Sequence, residues 1–72
     1  MVERKLYIDK YERVTDYLIA GASTEIHSLY LDEIKICLRD AKKSKNKTAI
    51  KSYLDHVDFI LEDIFEIRVA LP

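Results

Sequence analysis

The chain has 72 residues, of which 49% are hydrophobic and 35% charged, the balance of one small globular domain. A single cysteine, glycine and proline exclude a disulfide framework, a cysteine-based zinc site and a glycine-rich phosphate loop. Twelve basic against thirteen acidic residues give a formal charge of −1, so no strong overall field draws the chain to nucleic acid or anionic lipid.

The first predicted element is a helix over about Val2 to Ala20. Tyr7, Tyr11, Val14 and Leu18 recur at spacings of 4, 3 and 4, one face of a helix, with Leu6 and Tyr17 flanking them. Gly21 falls where a helix end calls for a residue tolerant of positive φ, and Ser23 can cap the helix that follows. The second helix is predicted over about Thr24 to Lys43, with Ile26, Tyr30, Ile34, Cys37, Leu38 and Ala41 on its core face. A polar run from Lys42 to Thr48 then breaks the pattern, and Asn46 or Thr48 can cap a third helix over about Ala49 to Ala70. The stripe of that helix, Ile50, Tyr53, Leu54, Val57, Ile60, Leu61, Ile64, Ile67 and Leu71, is the strongest in the chain. No segment sustains the alternation of a strand. The expected fold is all-α, a single domain over 1–72 built as a three-helix antiparallel bundle with a long hairpin of helices two and three.

Several apolar residues fall outside these stripes. At 100° per residue, Leu29 and Ile36 lie about 140–160° from the core face of helix two, and their heptad spacing aligns them as a short docking seam. Ile8 and Ile19 lie about 120–140° from Val14 and Phe59 about 160° from Val57 on the same reckoning, with Val69 also off-stripe. A chain this short buries only about 60% of the surface its unfolded form exposes, so a partner or a second copy is the remaining common staple. Leu29, Ile36 and Phe59 are therefore the expected protein-binding residues, and a homo-oligomer the expected state. The run Val69 to Pro72 is apolar where a free end is usually polar, which suggests docking or a longer parent chain.

Charge is unevenly spread. Residues 42–51 carry five lysines and no acid, whereas residues 52–72 carry five acids and one base. Lys42, Lys43, Lys45, Lys47 and Lys51 thus make a basic hairpin tip available to an acidic partner or, weakly, to nucleic acid, with no arginine or aromatic residue interleaved to read bases. Residues 18–31, LIAGASTEIHSLYL, resemble the helix-turn-helix motif, with Gly21 in the turn and Ser23 opening the would-be recognition helix. The resemblance implies base contacts from Thr24, Glu25, Ser28 and Leu29. The chain departs from the motif at Asp16, Tyr17 and His27, and that surface holds no basic residue.

Catalytic chemistry finds little footing. His27 and His56 sit on different helices without a second His, Cys or carboxylate at i+3 or i+4. Asp55, Asp58 and Glu62 share one edge, yet a bundle metal site needs inward carboxylates with a Glu-x-x-His motif, which is missing. Cys37 reads as a core-face thiol. No catalytic, metal or cofactor site is expected. No apolar run nears the roughly 20 residues of a membrane span, and the opening MVERKLY lacks a signal-peptide core, so a cytoplasmic protein with no membrane partner is expected. The sequence reading is a non-enzymatic interaction module, a homodimer or an accessory subunit of a larger assembly, with nucleic-acid association through the lysine tip as the alternative.

Overall fold

The computed structural model describes residues 7–69, and three helices account for most of them. They are α1 (Ile8–Gly21), α2 (Glu25–Lys43) and α3 (Lys47–Phe65), with no strand among the described residues. Short links, Ala22–Thr24 and Ser44–Asn46, force consecutive helices to fold back on one another, and α2 packs against both α1 and α3. Leu6 and Leu71, placed on the helical stripes by their spacing, lie outside the described residues.

Each link is held by its own polar groups. Thr24, not Ser23, caps α2: its hydroxyl oxygen accepts from the His27 N–H at 3.2 Å. Asn46 caps α3, its side-chain oxygen accepting from the backbone N–H of Thr48 at 2.9 Å and of Ala49 at 3.2 Å. Both contacts satisfy donors that a helix start leaves without partners. Gly21 does not adopt the positive φ expected of it. It is the last residue of α1, and the chain leaves through Ala22 in an extended conformation. That also removes the glycine turn on which the helix-turn-helix resemblance rests.

The core differs from the predicted faces by a rotation of α1 and α2. On α1 the buried residues are Ile8, Tyr11 and Thr15, with Tyr7, Val14 and Leu18 half-buried around them. Ile8, placed off-stripe by its spacing, is in the core, and Tyr17, placed beside the stripe, is 79% exposed. Thr15 is buried because its hydroxyl donates to the Tyr11 carbonyl at 2.8 Å, which leaves its methyl group to pack. On α2 the buried set is Leu31, Ile34, Leu38 and Ala41, with Tyr30 and Cys37 half-buried beside it. Its centre lies about 100° from Ile26 at 100° per residue, and Ile26 is accordingly 65% exposed instead of in the core. The α3 stripe is as its periodicity predicts, with Ile50, Leu54, Val57, Ile60 and Leu61 buried.

A part-buried polar contact joins the two outer helices. Tyr11 has no exposed surface, and its hydroxyl donates to Asp58 Oδ1 on α3 at 2.8 Å. An aromatic ring buried on one helix is thereby anchored through its polar end on another. No buried side-chain nitrogen or oxygen among the described residues lacks a hydrogen-bond partner.

The third helix stops at Phe65, short of the predicted Ala70. Glu66 takes up a left-handed conformation (φ 56°, ψ 38°), and the Leu61 carbonyl accepts from the Glu66 N–H and, at 2.9 Å, from the Ile67 N–H. The Phe65 ring turns onto His27 of α2 with centroids 5.1 Å apart, Arg68 Nε donates to Glu62 at 2.7 Å, and Val69, expected off-stripe, packs against the core. An apolar stripe that would have run on as helix is bent back over the bundle.

Two stability outcomes follow from this geometry. Tyr11→Phe is expected to cost about 1–2 kcal/mol through the lost bond to Asp58, and Tyr11→Ala about 3–5 kcal/mol through the cavity, read from urea unfolding. Glu66→Gly is expected to stabilise the fold by roughly 0.5–1 kcal/mol, because glycine adopts positive φ without the penalty of a side chain; an unchanged or lower midpoint would contradict the assigned helix end.

Candidate functional site: the outer face of α2

The central helix, packed against both of the others, also carries large apolar residues on its outer side. Ile26, Leu29 and Ile36 fall on one outward arc of α2 and are 65%, 63% and 48% exposed. Spacings of 3 and 7 put them on successive turns of one side, the pattern of a helix seam. Leu29 and Ile36 were marked by the sequence. Ile26 was assigned to the core, because its periodicity fits either face and only the position of α3 decides between them.

Phe59, the third residue marked by the sequence, is 63% exposed on α3. Glu33 sits between Leu29 and Ile36 on the α2 arc, and its Oε1 lies 3.0 Å from His56 Nε2. This contact joins α2 and α3 at the border of the α2 stripe, and Phe59 lies one turn beyond His56 on the outer side of α3. Scattered apolar residues are ordinary on a protein surface, whereas a contiguous group marks an interaction site.

The lysine tip is less open than its composition suggests. All five lysines are exposed, but Lys42 Nζ lies 3.1 Å from Glu12 of α1 and Lys51 Nζ lies 2.8 Å from Asp55 one turn on. Lys47 also has a partner. Lys43 ends α2, where a cation offsets the carbonyl end of the helix dipole, and Lys45 lies in the link. The structure therefore brings the five to one end without aiming them at a common point. The surface implied by the helix-turn-helix resemblance is exposed, but Thr24 is occupied as a cap and the Ser28 hydroxyl donates to the Thr24 carbonyl at 3.2 Å.

The remaining polar residues are each accounted for separately. Asp55, Asp58 and Glu62 share an edge of α3, yet they engage Lys51, Tyr11 and Arg68 respectively. His27 is half-buried against Phe65, and His56 contacts Glu33. Among the described residues no group of three or more His, Cys, Asp or Glu side chains is placed to hold a metal ion, and no helix is long and apolar enough to cross a membrane. A shallow cleft of about 280 Å³ between α1 and α2 is floored by Thr15 and Leu38. Glu12 and Asp16 on one rim face Lys35 and Arg39 on the other, so neither charge sign dominates it.

The chain matches no protein-family model, no curated protein and no solved structure.

Cys37 adjoins the outer arc of α2 and packs against the core. Burial raises its thiol pKa above the ordinary value of 9.0, and the negative charges of Glu33 and Asp40 raise it further. The neutral thiol is thus the form favoured in the fold, and thiolate reactivity at neutral pH is suppressed. Alkylation of Cys37 at neutral pH is expected to be slower than that of the unfolded chain, by about tenfold for each unit of raised pKa. Its linked contribution to stability is fully present below the unfolded thiol pKa and is lost as pH rises through the raised folded value. Cys37→Ser should abolish that alkaline loss; thiol labelling as fast in the fold as in urea would contradict the burial.

Proposed function

We propose that the protein is a non-enzymatic helical interaction module, a homodimer or an accessory subunit of a larger assembly in the cytoplasm. The observation that carries this reading is the exposed arc of Ile26, Leu29 and Ile36 on the central helix, with Phe59 also exposed on α3. A small bundle gains little from leaving this much apolar side chain in water, and covering it with a protein surface supplies the stabilisation that a chain of this size lacks. Separate pairing of the carboxylates and histidines supports a role without catalysis, since an acid–base or metal site needs such groups convergent. The lone thiol, neutral and half-buried, suits a reducing compartment. Nucleic-acid association through the lysine tip draws less support, because Lys42 and Lys51 are already held by Glu12 and Asp55.

The test is positional cross-linking. A photo-reactive side chain in place of Leu29 is expected to trap a protein adduct, from the purified chain or from lysate, whereas one in place of the exposed Arg13 on α1 is not. Ile36→Glu should remove the adduct at position 29 without altering helicity by circular dichroism. Absence of any adduct at position 29 would sink the reading.

A further inference from the structure

We propose that the outer arc of α2 is covered by the same arc of a second copy of this chain, the two helices lying antiparallel across a two-fold axis near the middle of α2. This rests on reading that arc as a docking surface and adds the identity of the occupant. The argument comes from the charges that border the apolar stripe. On the side of the stripe away from α3, Glu25, Asp32, Arg39 and Lys43 lie within about 80° of Leu29 at 100° per residue, and all four are exposed. Along this edge the two acids precede the middle of the helix and the two bases follow it, while Glu33 and Asp40 lie on the α3 side of the stripe.

That order is self-complementary in one orientation only. In an antiparallel pair related by a two-fold axis, a residue before the axis meets one after it, and each contact occurs twice. Leu29 then packs beside Ile36 of the other copy. With the axis at residue 34, Glu25 falls opposite Lys43, and the Leu29–Ile36 and Asp32–Arg39 pairs are each offset by three residues, about 4.5 Å along a helix and within side-chain reach. A parallel pair would set acid beside acid and base beside base. Flanking charges of this kind select orientation and partner in paired helices.

Local geometry is compatible with such a partner. Among the described residues Arg39 is engaged only by its sequence neighbour Asp40, with Nε 3.6 Å from Oδ1 and its side chain 62% exposed, so it can be redirected at little cost. Asp32, Lys35, Ile36 and Arg39 border an open stretch of surface along one side of α2. Glu33, on the opposite border of the stripe, is already accompanied by His56 of its own copy. A different protein presenting a matching helix could exploit the same seam, but the acid-then-base order along one edge is what a second copy supplies without further requirement.

The test is solution mass by light scattering over a micromolar concentration series of the full chain, at low and moderate salt, with charge-reversed variants. The wild-type chain is expected to approach twice its monomer mass, more readily at low salt. Asp32→Arg alone and Arg39→Asp alone should each weaken dimerisation about tenfold or more, since each brings like charges together. The double variant Asp32→Arg/Arg39→Asp should return to within a few-fold of wild type, because the reversal restores both symmetric pairs. These positions are exposed, and circular dichroism on each variant verifies that the helices remain. A monomer throughout overturns the second-copy proposal. If position 29 still cross-links to a different protein, the interaction-module reading survives that result; if it cross-links to nothing, both fall. A dimer that the double variant fails to restore also overturns the proposal, since the copies would then meet in another geometry.

Discussion

The bundle depends on the way Tyr11 is buried. Its ring fills the centre of the α1 face, and its hydroxyl reaches across to Asp58, a carboxylate on the helix that α1 touches least closely. Helices α1 and α2 are tied by a short link, as are α2 and α3, but only side chains connect the first helix to the third. A hydrogen bond from a buried donor to a half-buried acceptor is directional, so it sets the rotation of α1 about its own axis in a way that apolar contact alone does not. That rotation takes Ile8 and Thr15 into the core and puts Tyr17 in water.

The same constraint makes α2 the central element and gives it two faces. With α1 and α3 both packed on one arc through Leu31, Ile34, Leu38 and Ala41, the opposite arc carries Ile26, Leu29 and Ile36 exposed among the described residues. The contact between Glu33 and His56 marks the border with α3. Polar residues elsewhere are absorbed by local contacts: lysines by acids one turn away or on the facing helix, carboxylates by a tyrosine, a lysine and an arginine. The described residues leave apolar surface open on α2, and several of their charges are paired locally.

Helix ends show how local chemistry and tertiary contact divide the work. Asn46 was legible as a cap because its side chain can accept from the N–H groups two and three residues on, whatever surrounds it. Thr24 and Ser23 are equally able caps by type, and the choice between them depends on where α2 begins. The end of α3 carries no signal at all. A left-handed Glu66 offers neither glycine nor asparagine to mark it, and the apolar period continues past it through Ile67.

The three helices, their two breaks, the core stripe of α3 and the exposure of Leu29, Ile36 and Phe59 could be derived from residue order alone. Each follows from a periodicity or a capping group contained within one segment. Tertiary structure decided which arc of α1 and of α2 is buried, exchanging Ile26 and Tyr17 for Leu31, Ile8 and Thr15. It also set His56 of α3 against Glu33 of α2, paired Lys42 with Glu12 of α1, and turned the chain at Glu66. The physical reason is the same in each case. A hydrophobic period reports the mean direction of one helix's apolar residues, which is broad where such residues lie on two sides, whereas burial is settled by the surfaces that neighbouring helices bring against it.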